Sequence, residues 1–382
     1  MPTRAQQLFE LGQSVWLDFI RRGHLTSGDF ARLVHQDGIV GVTSNPTIFQ
    51  LAITESRDYD AAIQERLDRG LDGPALFESL AVEDIQRACD LLRAVYDATE
   101  GRDGRVSIEV SPRLAHDSDG SVEEGRRLNQ AVARPNVMVK IPATDRGLTA
   151  ISHLTAEGIN VNVTLIFSLR RYQQVMDAWF TGLERRLARK QPIDTIHSVA
   201  SFFVSRVDTK VDGAIDKRLA ALPADSSERA ELESLKGKAA VANAKLAYAR
   251  FREVLQEPRY RALAAQGARL QRPLWASTST KNPAYRDVMY VEELIGPDTV
   301  NTMPLQTLTA FNDHGVVESR IERDLADAQA IFRRLPQLEI PIHALIDELE
   351  GEGVATFAKS YDALIAALEA KRRELVSRGA SA

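Results

Sequence analysis

The sequence predicts an α/β protein, a (β/α)8 TIM barrel with additional helical inserts and a C-terminal helical extension. Three observations carry this reading. Eight short apolar, β-branched runs recur along 382 residues, longer charged segments with helical spacing separate most of them, and the signature of the main competing fold is missing. Strands that alternate with helices pair in parallel through right-handed crossovers, and eight of them suffice to close a barrel. A doubly wound open sheet would share the alternation. No G-x-G-x-x-G follows the first run, however, so a dinucleotide site has no support.

The apolar runs lie at 15–20, 38–43, 106–110, 137–142, 160–166, 198–205, 273–279 and 299–304. Amphipathic segments at 82–99, 123–134, 144–157 and 168–190 fill connections between them. Two connections, 44–105 and 207–272, are far longer than a barrel needs. The first reads as at least two helices broken at 70–74, and the second contains a charged helical stretch at 227–255. Neither has linker-like flanks or strand-like runs, so both are helical inserts, at about 50–100 and 208–270. The tail at 316–378 is helical and broken near 336–341, with Phe357, Tyr361, Leu364 and Leu368 at helical spacing, and is expected on the barrel exterior. A prior of roughly 150 residues per domain favours two or three domains. The strand count instead assigns 1–382 to a single barrel domain with its strands within 15–304.

Composition removes several function classes. Lys and Arg number 48 against 53 Asp and Glu, a net charge of −5 with no sustained basic run, which argues against nucleic-acid binding. One cysteine, Cys89, excludes a disulfide framework and a cysteine-built metal site. The seven histidines show no H-x-H or H-E-x-x-H spacing, so no metal site is expected. G-x-S-x-G and the P-loop pattern are both missing. Neither a signal-peptide layout nor an apolar run of membrane-spanning length is present, and the expectation is a cytoplasmic enzyme without membrane contact.

The strands carry polar residues where a barrel core should be apolar. Asn160, Asn162 and Thr164 alternate with Val161, Val163 and Leu165; Ser107 and Glu109 alternate with Val106, Ile108 and Val110; Asp18 lies between Leu17 and Phe19. Buried charges persist where they neutralise, pair or do chemistry. Lys140, between Val139 and Ile141, stands out among ten lysines because the other nine lie in helical or loop segments. Burial in an apolar interior disfavours an ammonium and exposes a nucleophilic amine, which condenses with carbonyls to a Schiff base. Asp18 and Glu109 are the candidate proton carriers. The other reading of Lys140 is a structural salt bridge to Glu109 or Asp18.

Turns after the strands add further polar groups, and active sites of this fold lie at the strand C-terminal ends. Pro46 biases Asn45 away from helix, so 43–47 reads as a turn at the mouth, in which Ser44, Asn45 or Thr47 could equally cap the next helix. Arg206 closes the sixth run and Lys281 follows a Ser/Thr-rich stretch after the seventh, together a candidate phosphate site or two solvated cations.

Four segments resemble the transaldolase family: GVTSNPTIF at 41–49, VMVKIP at 137–142, GINVNVTLIFS at 158–168 and LWASTSTKNP at 274–283. The resemblance runs from about Asp18 to Pro304 and more loosely beyond. It implies a cofactor-free enzyme that acts on sugar phosphates, as a monomer or homodimer. Such an enzyme moves a dihydroxyacetone unit from sedoheptulose 7-phosphate or fructose 6-phosphate to glyceraldehyde 3-phosphate or erythrose 4-phosphate, in the non-oxidative pentose phosphate pathway. By position, Lys140 matches the Schiff-base lysine and Asp18 the carboxylate that exchanges the C4 hydroxyl proton. Glu109 and Thr164 match the pair that activates water; Asn45, Asn162 and Ser201 match groups on the three-carbon unit; Arg206, Ser277 and Lys281 correspond to the phosphate region. The best-known branch carries arginine in place of Lys281, a fork in place of a point charge. Fructose-6-phosphate aldolases of the same superfamily are much shorter and typically carry glutamine for Glu109 and tyrosine for Phe203. They and a non-catalytic sugar-phosphate-binding barrel are the competing readings.

Overall fold

In a computed structural model that describes residues 2–379, with side chains as far as Leu375, eight strands form one closed, parallel barrel in chain order. They are β1 (Gln13–Leu17), β2 (Gly41–Val42), β3 (Arg105–Glu109), β4 (Val137–Pro142), β5 (Val161–Ile166), β6 (Ser198–Phe203), β7 (Gln271–Ala276) and β8 (Thr299–Met303). β8 pairs with β1 from Thr299 opposite Gln13 to Met303 opposite Leu17, which closes the ring. The expected (β/α)8 fold is the observed one. Every strand falls on an expected run, shifted by a few residues at its ends.

Those shifts have physical causes. β7 begins at Gln271, two residues before the apolar run, because Gln271 and Arg272 find polar partners inside the barrel: Ser198 Oγ at 2.9 Å and Asp103 at 2.9 Å. β1 ends at Leu17, so Asp18 sits in the bend after the strand rather than within it. Asn160 likewise precedes β5, where its side-chain oxygen accepts from the His197 amide at 2.8 Å. β2 shrinks to two residues as it passes over the Trp16 indole. A Cβ on Gly41 would lie 2.6 Å from that ring, so glycine is required by the close approach.

The first insert consists of helices Pro46–Thr54, Asp60–Asp68, Gly73–Leu91 and Arg93–Ala98, with the expected break before Gly73. It is tied to the bend after β1 by buried Asp84, which pairs with Arg22 at 2.8 Å and accepts from the Tyr59 hydroxyl at 2.8 Å. The second insert follows β6 as Ser205–Ala221, Glu228–Leu235, Ala239–Val254 and Pro258–Ala264, so the stretch at 227–255 is two helices broken around Gly237. After β8 come helices Leu305–His314, Leu325–Gln337 and the 38-residue Ile342–Gly379, with the expected break between the last two. No helix among the described residues is long and apolar enough to cross a membrane.

Where the sequence alone puts the tail on the barrel exterior, the last helix instead runs along the C-terminal end of the barrel. Glu350 pairs with Arg171 at 2.8 Å behind β5, Gly353 lies against Leu165, Ser360 accepts from Thr47 at 2.8 Å, and Lys371 donates to the Ser56 carbonyl at 2.7 Å. The apolar spacing is right, but the surface it covers is the rim of the mouth. Phe357, Tyr361, Leu364 and Leu368 are all buried there.

The opposite, N-terminal end of the barrel is filled by a buried ion pair. Asp103 meets Arg272 at 2.9 Å and also accepts from Ser14 Oγ at 2.8 Å and Trp16 Nε1 at 3.2 Å, while Arg272 donates to Ser14 Oγ at 2.7 Å. Removing one partner strands the other charge in a dry interior. Asp103→Ala is therefore expected to destabilise the fold by about 3–5 kcal/mol, measured by urea unfolding; a loss below about 1 kcal/mol would mean that the pair behaves as a solvated surface bridge.

Candidate active site

Strand register assembles the centre of the site. β3 sets Glu109 opposite Lys140, and β5 sets Asn162 opposite Lys140 and Thr164 opposite Pro142. Three adjacent strands thus present a carboxylate, an amine and an amide in one row. Lys140 Nζ lies 3.3 Å from Glu109 Oε2, with the two side chains 5% and 6% exposed, and donates to the Ser44 carbonyl at 3.2 Å. The salt bridge weighed from the sequence is present, and the surroundings of the amine are more polar than the apolar strand suggests.

Asp18 completes the centre from β1. Its amide donates to the Met303 carbonyl at 2.8 Å, which fixes the bend, and its Oδ1 accepts from Thr43 Oγ1 at 2.7 Å. Thr43 Oγ1 lies equally 2.7 Å from Thr302 Oγ1. A hydroxyl has one proton, so when Thr43 gives it to Asp18, Thr302 must be the donor to Thr43. Burial pushes the Asp18 carboxyl up from its ordinary value, opposed by the Lys140 charge and the Thr43 hydrogen bond. Burial raises Glu109 too, opposed by Lys140 and reinforced by the Asp18 charge.

Thr164 is placed by an irregularity. The β5–β6 register shifts between Val163 and Ile166, and Leu165 adopts φ +61, a left-handed conformation rare for a branched residue. The strict alternation read from the sequence breaks here. Thr164 Oγ1 is buried without a hydrogen-bond partner, and such an atom marks where a ligand or water oxygen is to be met, while Glu109 Oε2 beside it has the Lys140 amine at 3.3 Å. Asn162 is tied on both sides: it accepts from Ser201 Oγ at 2.7 Å and donates to Ser107 Oγ at 3.0 Å. Asn45 caps helix Pro46–Thr54 through its side-chain oxygen, which accepts from the Ile48 amide at 3.0 Å, so only Nδ2 remains for a ligand.

The outer part of the site is cationic. Arg206, one residue into helix Ser205–Ala221, stacks over Phe203 at 5.3 Å and Phe357 at 5.9 Å and makes no ion pair or hydrogen bond among the described residues. Burial lowers its pKa, with Glu352 the only offsetting charge. Lys281 donates to Ser279 Oγ at 2.7 Å, and its pKa is lowered by burial and by the Arg206 charge. Two neighbouring cations, with the Arg206 charge depressing Lys281, invite an anion between them. Ser277, at φ +57, faces Ser205 with 2.9 Å between the hydroxyl oxygens.

A cavity of about 390 Å³ joins these groups, lined among others by Asp18, Asn45, Lys140, Thr164, Ser201, Arg206, Ser277 and Lys281. Of the sequence-derived candidates, Glu109 and Asn162 stand behind its wall. Thr43, Thr302 and Phe357 also line it and are not singled out as site residues by the sequence. Thr43 lies inside a recognised motif, and Thr302 is a polar residue in an apolar run, so both carried a signal. Phe357 showed only helical spacing. No cluster of three or more His, Cys, Asp or Glu able to hold a metal occurs among the described residues.

A buried amine beside two buried carboxylates at the mouth of a (β/α)8 barrel fits the class of enzymes that work through a lysine Schiff base. The chain belongs to the transaldolase/fructose-6-phosphate aldolase family, which it matches over residues 15–368. It is 48% identical over 367 residues to Transaldolase 2 of a Nostoc species, covering 96% of each chain. It is 44% identical over 371 residues to a transaldolase of Trichodesmium erythraeum, covering 97% of each. With a transaldolase of Mycobacterium tuberculosis it shares 48% identity over 356 residues, 93% of each. The protein is an enzyme of the transaldolase family, a transferase.

Thr43→Val removes the hydrogen bond that favours ionised Asp18. Turnover should then fail at higher pH on the acid side than in the wild type, while stability changes by about 1 kcal/mol. A pH–rate profile that does not move would disconnect Thr43 from the working carboxylate.

Proposed function

We propose that the enzyme transfers a dihydroxyacetone unit between sugar phosphates through a Schiff base on Lys140. The donor is sedoheptulose 7-phosphate or fructose 6-phosphate and the acceptor glyceraldehyde 3-phosphate or erythrose 4-phosphate, a reaction of the non-oxidative pentose phosphate pathway. The observation that carries this reading is the contact of Lys140 Nζ with Glu109 Oε2 at 3.3 Å, with Lys140 lining a cavity that the unpaired Arg206 also lines. A cytoplasmic location and a monomer or homodimer go with it.

The amine of Lys140 adds to the C2 carbonyl of the ketose, and the carbinolamine loses water as Glu109 delivers the proton. Glu109 and Thr164 hold that water, which suits the unpartnered Thr164 hydroxyl and a carboxylate already in contact with the amine. Ionised Asp18 takes the C4 hydroxyl proton, the C3–C4 bond breaks, and its electron pair flows into the iminium to give an enamine. The aldose phosphate leaves. The enamine carbon then attacks the acceptor aldehyde, Asp18 returns its proton to the new hydroxyl, and water releases the ketose. Asn45, Asn162 and Ser201 hold the hydroxyls of the three-carbon unit. Arg206, Ser277 and Lys281 hold the phosphate.

Lys140→Met is expected to abolish turnover and to eliminate the mass increment left on the chain by fructose 6-phosphate with borohydride. Trapping on another lysine would refute the assignment. Adding erythrose 4-phosphate to fructose 6-phosphate should yield sedoheptulose 7-phosphate. Release of free dihydroxyacetone instead would make the enzyme a lyase.

The pH dependence follows from the form of Asp18 that works. The ionised carboxylate accepts the proton, so activity is present above its pKa and is lost as pH falls through it. Because burial raises that pKa, kcat/KM should begin to fall above the ordinary carboxylate range of about 4. A rate that is flat down to that value would exclude Asp18 as the base.

A further inference from the structure

Beside the site, two carboxylates on helix Ser205–Ala221 join three separate segments. Asp208 is buried; one oxygen accepts from the Ala240 amide at 2.7 Å and the other from the Tyr290 hydroxyl at 2.8 Å. One turn further along, Asp212 accepts from the Gly237 amide at 3.0 Å and the Tyr285 hydroxyl at 2.6 Å. All four carboxylate oxygens are used. Two bind the turn that breaks the second insert, and two bind tyrosines from the chain after β7.

The positions of these ties matter because of what lies between them. Arg206 is two residues before Asp208 on the same helix. Lys281 is four residues before Tyr285, in a stretch, 281–284, that is exposed throughout. On its near side the loop is fastened to the same helix at Ser277, whose carbonyl accepts from the Ser205 amide at 3.1 Å. On its far side Tyr285 is fastened to Asp212. The loop that carries one cation is thus pinned, before and after, to the helix that carries the other. The turn is shaped to fit against Tyr285: Gly237 has φ +70, and a Cβ there would lie 2.7 Å from Cζ of that ring.

We propose that Asp208 and Asp212, with Tyr285, Tyr290 and the turn around Gly237, are positioning residues that set the separation of Arg206 and Lys281 and thereby the enzyme's preference for phosphorylated substrates. The proposal rests on the reading of Arg206 and Lys281 as the phosphate site. It also gives the second insert a role, since the turn at 237–240 donates the two backbone N–H groups that hold the acid pair in place. Two carboxylates one turn apart, one buried and the other half-buried, call for such donors. Burial and the nearby Asp212 leave Asp208 pushed up to about 7 even with the Ala240 and Tyr290 donors pulling it down.

The test compares erythrose 4-phosphate with unphosphorylated D-erythrose as acceptor, using fructose 6-phosphate as donor. Tyr285→Phe deletes one hydroxyl at a half-buried position. It should raise KM for erythrose 4-phosphate roughly 5–10-fold, leave kcat within about 2-fold and leave kcat/KM for D-erythrose unchanged. Tyr290→Phe should act in the same sense, and thermal unfolding of both variants checks that the fold is retained. Equal losses on the two acceptors, or no change on either, would overturn the proposal. Arg206→Ala is the control for the underlying reading, since it must lose preference for the phosphorylated acceptor. If Arg206→Ala loses that preference and Tyr285→Phe keeps it, the phosphate site stands and the positioning role falls. If Arg206→Ala keeps it, both fall.

Discussion

One ammonium and two carboxylates share the C-terminal interior of this barrel, and most of the local architecture follows from holding them there. Taking an ion out of water costs several kcal/mol even after relaxation, and attraction between partners offsets that only with good geometry and additional hydrogen bonds. Register supplies the geometry by setting Glu109 level with Lys140. The hydrogen bonds run from the Lys140 amine to the Ser44 carbonyl and from Thr43 to Asp18. Even so, one cation cannot balance two anions. Both carboxyl groups hold protons more tightly than they would in water, chiefly because burial disfavours their charged form. The feature that makes this region expensive to fold therefore also makes its protons mobile, which is what the proposed addition, dehydration and C–C cleavage need.

Two of the described non-glycine residues with positive φ adjoin the same centre. Leu165 and Ser277, both with positive φ and both lining or adjoining the mouth, cost on the order of 1–3 kcal/mol each relative to relaxed backbone. Each is held from outside. The last helix lies over Leu165 through Gly353, where a larger residue would collide, and Ser205 grips Ser277 through backbone and side chain. Leu165 follows Thr164, which faces the cavity beside Lys140, and Ser277 starts the loop that carries Lys281.

Much of this was legible in the sequence, because hydrophobic alternation and charge inside an apolar run are local signals. The eight strands announce themselves by composition. Lys140 and Glu109 are conspicuous because nothing else in β3 or β4 is charged at that depth. The strand limits were less legible. Arg272 looks like a flanking residue until its partner Asp103, 169 positions earlier, is brought to it by the fold. Phe357 was harder still. Its spacing marks a buried helical stripe, but whether that stripe faces a helix or the rim of a barrel depends on the path of a 38-residue helix, and no local pattern records it. The paired ties of Asp208 and Asp212 were invisible for the same reason: three segments meet there, and each reads alone as ordinary charged helix or loop.

The ring of Phe357 connects the two halves of the site. It stands 5.7 Å from Lys140 Nζ and 5.9 Å from the Arg206 guanidinium carbon, while Phe203 takes another side of Arg206 at 5.3 Å. Arg206 is stacked by aromatic rings rather than paired with a carboxylate, so its charge is retained and its N–H edge is left for an anion. The same ring narrows the approach to the amine. In a transferase this narrowing has a specific value, because an enamine exposed to water would be protonated and lost before an acceptor arrives. In the proposed reaction an acceptor whose phosphate is held at Arg206 reaches Lys140 through the cavity that Phe357 helps to line. The tail of the chain, which contributes no acid, base or nucleophile, thus supplies the condition under which the proposed transfer can outpace hydrolysis.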